Sequence, residues 1–540
     1  MPIPQIDINK INAQNNQIIQ QEENRLKYKK QNEQQFSVQI TKDYFYIDNN
    51  TSADENCFPI KQVEIIDNKV LSNQVLSSIT SKYENQCLTQ KKVVNLLNEI
   101  NNKYIKEGYI TTQSYLKEQD LSTQILKIHI QEGKIENIVI NNAPSTEVVQ
   151  TFPHYKDKIL NLRDIEMGLE HFNRLYTTST TLDLQEGSKV GYSLINIHKE
   201  QDKKIFTSLS VNNNGSQSTG KNTGDLQLYL ENILNLNTQF IIGLSGTLKR
   251  LDEKRTIGRS YTWNIPYGYY LFTAGYREFL YRSTITGENA TYVSSGTNST
   301  YFYNLDYTFF RNDTTIFKAN LGLDIKQNVN FIANQVLTTS SNKLTVANLG
   351  ISGSTSFHKT FLSGSLTLKR GLTWFDAFTN KDDLYKKAQF TALNLYLSAS
   401  TDIMLGELPL TLNNVLSAQY SNDKLYSTEL FSIGGLYTVR GFEYMNYSGE
   451  IGAYLRNDLS YTTAKKVWGQ DAVLTPFVGV DFGVVEYDAD IYKYMVGAAL
   501  GLKVKTKYLS MEFTLGVPLY AYDPIAEEKT TFSFSFTYHY

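Results

Sequence analysis

Two short segments near the end of the chain contain an arginine and an aspartate that could form an ion pair. The first, 434–442, reads GGLYTVRGF and places Arg440 beside glycines that allow a tight turn. The second, 479–483, reads GVDFG and places Asp481 two residues from a glycine on either side. An arginine and an aspartate can form a charge-assisted bidentate pair that lysine does not reproduce. The alternative is two unrelated, solvated charges.

The strand pattern around Asp481 predicts where its side chain points. Successive side chains of a strand alternate between its two faces. One face carries the apolar residues Val478, Val480, Phe482 and Val484. The other carries Phe477, Gly479, Asp481 and Gly483. If the apolar face meets lipid, the carboxylate projects to the opposite side, between glycines that leave room for a guanidinium group.

Other chemistry has little support in this sequence. Residues 215–221 read GSQSTGK, which has phosphate-loop spacing, but Asn222 follows where a magnesium-binding Ser or Thr would stand. The six histidines show no metal-ligand spacing, and neither a GxSxG motif nor a cysteine with a partnered histidine is found. We therefore expect no catalysis, no metal and no cofactor.

The composition narrows the class of protein. The chain has 540 residues and a net charge of −2, which argues against a nucleic-acid partner. No apolar run approaches 18 residues, so a helical membrane protein is excluded. The 38 Tyr and 27 Phe suit many short strands with one face in an apolar environment and rings at its borders.

From about residue 203 to 540 the dominant pattern is alternation, clearest in FSFSFTYHY at 532–540. Long strands with one apolar and one polar face predict a barrel with lipid outside and water inside. The segment has room for about 16 antiparallel strands at roughly 21 residues per strand and connection. A soluble array of β-sandwiches would share the alternation, but its long apolar faces would be prone to aggregation.

Two α+β units of similar pattern precede the alternating region, at 57–133 and 134–202. In the first we expect strands at 58–66, 109–116 and 125–130 and helices at 71–81 and around Val93–Tyr104. In the second we expect strands at 136–140, 180–184 and 192–198 and helices at 145–155 and 162–175.

The N-terminal part of the chain is polar. Residues 1–35 are rich in Gln and Asn and allow a helix that is polar on nearly all sides, which suits a water-filled space; a disordered tail is the alternative. Residues 36–56 are expected to be a linker. No signal peptide is recognisable at the start, so we expect a mature chain with a start Met added. Cys57 and Cys87 would pair in an oxidising periplasm, contributing about 3–4 kcal/mol, and would be two buried thiols in a cytosol.

Besides 434–442 and 479–483, several short segments form a specific order of motifs along the chain. They are NCFPI at 56–60, QCL at 86–88, YIKEGYITT at 104–112, QDLS at 119–122, LNLRDIEMGL at 160–169, FNRL at 172–175, NNG at 213–215, STG at 218–220 and IPYGY at 265–269. This order resembles that of the outer-membrane transporters of two-partner secretion, the TpsB family of the Omp85 superfamily. The resemblance covers nearly the whole chain. One departure is NNNG at 212–215, where the family has an Asp among the Asn.

The resemblance implies a 16-stranded membrane barrel, two small periplasmic modules called POTRA domains, and an N-terminal helix lying in the pore. It also implies a loop at 434–448 inside the barrel. The loop residues of its motif are Val439, Arg440, Gly441 and Phe442, and their partners on the wall are Gly479, Asp481 and Gly483.

The function implied is export of an unfolded protein across the Gram-negative outer membrane without ATP. The expected partners are an exoprotein with an N-terminal secretion domain, outer-membrane lipid and the barrel assembly machinery. Two alternative functions remain, barrel assembly and general diffusion. A barrel-assembly factor of the same superfamily usually has more POTRA domains, and a general diffusion porin lacks both these domains and the plug-like helix.

Overall fold

The computed structural model describes residues 15, 17–19, 57–249, 254–286, 291–383, 385–467, 469–488, 491–523 and 528–540. The linker expected at 36–56 lies outside these ranges, as does most of the helix expected within 1–35. None of the described helices is long and apolar enough to cross a membrane.

The first small domain packs two helices on its strands around an apolar core. Ser72 and Thr89 begin the helices by accepting hydrogen bonds from backbone N–H groups in their first turns. Leu96, Ile100 and Tyr104 of the longer helix are buried in the core. The elements are β1 Cys57–Ile60, β2 Gln62–Ile66, α1 Asn73–Thr80, β3 Gln86–Thr89, α2 Gln90–Lys106, β4 Gln113–Tyr115, a 3₁₀ turn Leu121–Thr123 and β5 Ile125–Gln131.

The second small domain repeats this plan. In the first, β2 pairs in parallel with β5, and β4 lies antiparallel on the other side of β5. In the second, the sheet order is β6-β8-β7, with β6 parallel and β7 antiparallel to β8. Its elements are β6 Lys134–Ile140, α3 Thr146–Thr151, α4 Leu162–Asn173, β7 Thr178–Glu186 and β8 Tyr192–Gln201.

Three predicted elements differ from the observed ones. The strand expected at 58–66 is divided at Lys61, since β1 pairs with β3 whereas β2 pairs with β5. The strand expected at 109–116 is reduced to β4, because the N–H of Thr112 donates to the Tyr109 carbonyl in a turn. The helix expected at 145–155 ends at Thr151, since a residue before proline, here Phe152 before Pro153, disfavours helix.

The rest of the chain forms a closed antiparallel barrel in which β28 pairs with β9. Among the described residues, the barrel wall has sixteen strands. The two-residue strand β16 pairs with the end of β15 and is not counted as a wall strand. Strands β23 and β24 count as one wall strand, because both pair with β25. The predicted strand number is confirmed. The strands are β9 Ile205–Asn212, β10 Thr223–Glu231, β11 Gln239–Thr247, β12 Arg255–Tyr267, β13 Tyr270–Thr286, β14 Thr291–Arg311, β15 Thr315–Ile332, β16 Gln335–Val336, β17 Asn342–Phe357, β18 Thr360–Leu372, β19 Thr391–Leu405, β20 Leu408–Tyr420, β21 Phe431–Ile433, β22 Tyr447–Gly449, β23 Gly452–Ser460, β24 Thr463–Val467, β25 Gln470–Asp488, β26 Ile491–Lys505, β27 Leu509–Ala521 and β28 Thr531–His539.

The connection between β20 and β23 does not belong to the wall. We call residues 421–451 the lumenal loop. Its strands β21 and β22 pair only with each other, and its side chains touch wall strands that are far apart around the barrel. Such contacts are possible only from the interior. The loop expected at 434–448 is the middle of this segment.

The second small domain is docked on one end of the barrel. The Nε2–H of His171 on α4 donates to the carbonyl of Gly268, in the turn between β12 and β13, at 2.8 Å. Arg311, at the end of β14, pairs with Glu166 and Glu170 of α4. Arg174 donates to the carbonyl of Asn237 at 2.8 Å. This end of the barrel is therefore the one that faces the small domains.

The four described N-terminal residues lie inside the barrel. Asn15 accepts a hydrogen bond of 2.9 Å from the Ser294 hydroxyl on β14. Ile18 and Ile19 are buried against Tyr281 of β13. The described part of the N-terminal segment is thus helical and in contact with the inner wall.

Candidate functional site: the lumenal loop and its wall

The turn of the lumenal loop depends on glycine backbone. Gly434 and Gly441 have φ angles of 107° and 99°, in the region that other residues rarely adopt. A Cβ on Gly441 would also lie 2.6 Å from the Pro518 nitrogen of β27. The hydroxyl of Thr438 donates to the Gly434 carbonyl at 3.0 Å and closes the turn. These contacts present the Arg440 side chain to the wall.

Arg440 and Asp481 form a bidentate ion pair. The Nε and Nη2 groups of Arg440 each lie 2.6 Å from one carboxylate oxygen of Asp481. The backbone N–H of Arg440 donates to the same carboxylate at 3.0 Å. Arg440 is 1% exposed and Asp481 is 0% exposed. Removing either partner would leave a buried charge without compensation, which costs about 3–5 kcal/mol in proteins.

The neighbouring strand β23 adds a second carboxylate and a second guanidinium group. Asp458 accepts a hydrogen bond of 2.6 Å from Nη2 of Arg440. Arg456 lies directly opposite Asp481 in the β23–β25 register. Its Nη1 group donates to the loop carbonyl of Leu436 at 3.2 Å. The ring of Phe477 lies 5.7 Å from the Arg440 guanidinium carbon.

Glycines on three wall strands let the loop backbone approach the wall. A Cβ on Gly479 would lie 2.5 Å from Nη2 of Arg440, and a Cβ on Gly483 would lie 2.7 Å from Cγ2 of Val439. A Cβ on Gly497 of β26 would overlap the carbonyl oxygen of Arg440. A Cβ on Gly516 of β27 would lie 2.6 Å from the Gly441 nitrogen. The wall is therefore shaped to accept this loop.

Apolar and polar contacts fasten the loop on either side of Arg440. Val439 and Phe442 are buried in a cluster with Ile433, Val485 and Met495. Beyond the turn, one carboxylate accepts hydrogen bonds from three consecutive backbone N–H groups. The carboxylate is that of Glu528, and the donors are the backbone N–H groups of Glu443, Tyr444 and Met445.

The structure brings both sets of sequence-predicted residues together. Val439, Arg440, Gly441 and Phe442 lie against Gly479, Asp481 and Gly483. The predicted face assignment of β25 agrees with exposure, since Val478, Val480 and Phe482 are exposed whereas Phe477 and Asp481 are buried. Cys57 and Cys87 form a disulfide between β1 and β3, with their Cα atoms 5.3 Å apart. This disulfide lies in the first small domain and is not part of the loop site.

Sequence reasoning missed Asp458, Arg456, Gly497, Gly516 and Glu528. Alternation along 452–460 could have placed Arg456 and Asp458 on the lumenal face, two residues apart. No comparable signal marks Gly497 or Gly516, because a glycine in a strand does not reveal which backbone approaches it. Glu528 makes its contacts across 83–85 residues of sequence.

A closed barrel with two small docked domains and a loop pinned inside its lumen defines a class, the POTRA-bearing barrels of the bacterial outer membrane. The chain belongs to the family described as haemolysin secretion/activation protein ShlB/FhaC/HecB, which matches residues 191–504. A ShlB-type POTRA domain matches residues 58–133 and a further POTRA domain matches 134–185. The protein is thus an outer-membrane transporter of two-partner secretion, with its POTRA domains in the periplasm.

Relatives agree with this assignment along most of the chain. The outer membrane transporter CdiB of Dickeya dadantii is 29% identical over 86% of this chain and 83% of the relative. CdiB of Escherichia coli is 30% identical over 88% of this chain and 81% of its own length. The hemolysin transporter protein ShlB of Serratia marcescens is 28% identical over 79% of this chain and 75% of its own length. Among solved structures, CdiB from Escherichia coli has a TM-score of 0.88 and 25% identity over 98% of this chain and 99% of its own.

Proposed function

We propose that this transporter moves an unfolded exoprotein through its barrel, and that the Arg440–Asp481 pair holds the lumenal loop in the position that transport requires. The observation that carries the proposal is the buried, bidentate geometry of this pair, with a second carboxylate from Asp458. A charge group this enclosed stabilises one loop position strongly over any other. No bond chemistry is assigned to the site.

The substrate is a secreted protein whose N-terminal secretion domain is recognised by the POTRA domains. The strands β4 and β7 lie at the edges of their sheets. An extended substrate segment can add to such an edge through backbone hydrogen bonds, with little demand on its sequence. Because ATP is absent from the periplasm, binding at the POTRA domains and folding at the cell surface provide the direction.

The same proposal assigns the parts of the chain. Residues 1–35 form a pore plug, 36–56 a linker, 57–133 and 134–202 the two POTRA domains, and 203–540 the barrel. The apolar exterior is assigned to outer-membrane lipid, and insertion to the cellular barrel assembly machinery. The described N-terminal residues support the plug, since Ile18 and Ile19 lie against the inner wall at Tyr281.

The test is export of an N-terminal fragment of the exoprotein encoded next to this transporter. We expect wild type to secrete the fragment and Arg440→Ala to be inserted but inactive. Arg440→Lys should also lose most secretion, by about tenfold or more, because lysine cannot make the two parallel bonds. Secretion is measured in the medium, and insertion by the heat-modifiable mobility of the folded barrel.

The control is Arg259→Ala, since Arg259 also pairs with an acidic side chain, Glu278, but is half exposed. Its secretion should match wild type. Normal export by Arg440→Ala would remove this residue from the mechanism and leave the transporter assignment standing. No export by wild type, together with large steady currents in planar bilayers, would instead favour a diffusion porin.

A further inference from the structure

The base of the lumenal loop is fastened at a second place on the barrel wall. Glu429, in the 3₁₀ turn Ser427–Glu429, lies between Lys326 of β15 and Lys369 of β18. Its carboxylate oxygens are 2.6 Å and 3.3 Å from the two Nζ atoms. The Glu429 side chain is only 1% exposed. The Glu429 carboxylate is therefore nearly as enclosed as that of Asp481.

The two fastenings have opposite polarity and lie on different parts of the wall. At the turn, the loop contributes the cation Arg440 and the wall contributes carboxylates. At the base, the loop contributes the carboxylate of Glu429 and the wall contributes lysines. Strands β19, β20 and β23 separate β18 from β25 around the barrel. The loop thus extends along the inside between two distinct charge sites.

An apolar cluster surrounds the base. Tyr426, three residues before Glu429, is buried with Leu344 and Val346 of β17 and with Phe390. Its ring lies 6.3 Å from that of Phe378. The backbone carbonyl of Glu429 also accepts a hydrogen bond of 2.9 Å from Nε2 of Gln419. A carboxylate in such surroundings is stable only when paired, and so are the lysines that face it.

We propose that Glu429 is a positioning residue, a second anchor that holds the base of the lumenal loop on the β15–β18 wall independently of Arg440. With this anchor in place, the Arg440 turn can leave its site while the base of the loop stays inside the barrel. The inference rests on the proposed function for the idea that the turn moves during export. The anchor itself is testable without any exoprotein.

The test measures ion conductance of the purified full-length protein in planar bilayers. We expect Glu429→Gln to raise the mean conductance at least about threefold, since it removes the negative charge that pairs with Lys326 and Lys369. Glu429→Lys should raise it further by adding a third cation. The double variant Glu429→Lys with Lys326→Glu restores one acid and two cations, so its conductance should return to within about twofold of wild type.

Independence of the two anchors needs a second comparison. Arg440→Ala alone should raise the conductance less than Arg440→Ala combined with Glu429→Gln, because one anchor remains in the single variant. The control is Lys424→Gln, which removes an exposed ion pair with Glu450 at 3.4 Å on the same loop and should behave as wild type. Heat-modifiable mobility shows in each case that the barrel is folded.

Three results would overturn the anchor. One is wild-type conductance in Glu429→Gln, and another is a double charge-swap variant no better than Glu429→Lys. The third is an Arg440→Ala conductance equal to that of its combination with Glu429→Gln. None of these depends on export, so failure of wild type to secrete an exoprotein would count against the proposed function and not against the anchor.

Discussion

At the scale of single residues, the site combines a buried ion pair with wall glycines that leave no space for a side chain. The ion pair decides which groups meet, and the glycines decide how closely the loop backbone can approach. Gly497 is the most demanding of them, since a Cβ there would overlap the carbonyl oxygen of Arg440. Backbone cannot move aside as the end of a flexible side chain can.

We therefore predict that Gly497→Ala displaces the loop although every charged residue is retained. Secretion should fall about tenfold or more, comparable to loss of one buried charge partner. The control is Gly224→Ala on β10, where the nearest atom would be Cδ2 of Leu248 at 2.8 Å, the end of a movable side chain. Equal secretion by both variants would mean that close contact between the loop and β26 is unnecessary.

Among the elements, α4 supplies the charged part of the interface between the second POTRA domain and the barrel, beside α3, whose Gln150 donates to the Pro266 carbonyl at 2.8 Å. Burial lowers the pKa of His171 to about 4, helped by the charges of Arg174 and Lys318 and opposed by the Gly268 carbonyl and Glu170. Burial alone would raise the pKa of Glu170, but Lys318 and Arg311 hold that pKa at about 2. The interface is thus built around a neutral histidine and an ionised glutamate.

The sign of the pH dependence follows from the histidine. Its pKa in the folded protein, about 4, is below its ordinary value of 6.5, so docking is fully stable above pH 6.5 and weakens as the pH falls toward 4. The loss at pH 5 is about 2 kcal/mol if His171 becomes solvated on undocking. Protonation of Glu170 also weakens docking as the pH falls, but only below pH 4.5, the ordinary pKa of a glutamate.

We predict that the protection of α4 backbone amides against hydrogen exchange, normalised to that of α2, is lower at pH 5 than at pH 7.5, by up to roughly 30-fold. Helix α2 serves as the internal reference, which cancels the intrinsic pH dependence of exchange. His171→Gln keeps a donor for the Gly268 carbonyl but does not titrate, so its relative exchange should be independent of pH. The same pH dependence in His171→Gln would assign the effect to another group.

In the molecule as a whole, two separate segments occupy the lumen of the barrel, the lumenal loop and the described N-terminal residues. The two meet where Nε2 of Gln17 donates to the Tyr444 carbonyl at 3.4 Å. The firmer contact of the N-terminal segment is apolar, since Ile18 and Ile19 are 3% and 1% exposed. The lumen therefore contains two segments that obstruct it.

We predict that Ile18→Asp combined with Ile19→Asp opens the lumen. Two carboxylates cannot remain buried against Tyr281 without partners, so this segment should leave the wall. Conductance in planar bilayers should rise several-fold, by about threefold or more. Ile18→Val combined with Ile19→Val is the control, because both side chains stay apolar and should remain against Tyr281. Wild-type conductance in the charged double variant would show that this contact does not close the pore.

Local pattern in the sequence was sufficient for the architecture. Alternation predicted a barrel, the length of the alternating region predicted its strand number, and helical periodicity predicted α1, α2 and α4. Alternation and helical periodicity can be seen in the sequence because both depend on neighbours within a few residues. The order of motifs predicted that Arg440 and Asp481 would meet. The ends of the elements were less predictable. Strand β4 begins later than expected because a turn precedes it, and helix α3 ends earlier than expected because a proline follows it.

The distant groups that share a surface could not be identified before the fold was known. Asp458, Gly497, Gly516 and Glu528 surround the loop turn because closure of the barrel places their strands and loops around it. Glu429 meets Lys326 across 103 residues of sequence for the same reason. Local sequence pattern specifies the barrel strands, their two faces and the Arg440 turn. The register and closure of the barrel determined what that turn touches, because cross-barrel contacts depend on the position of every strand between them.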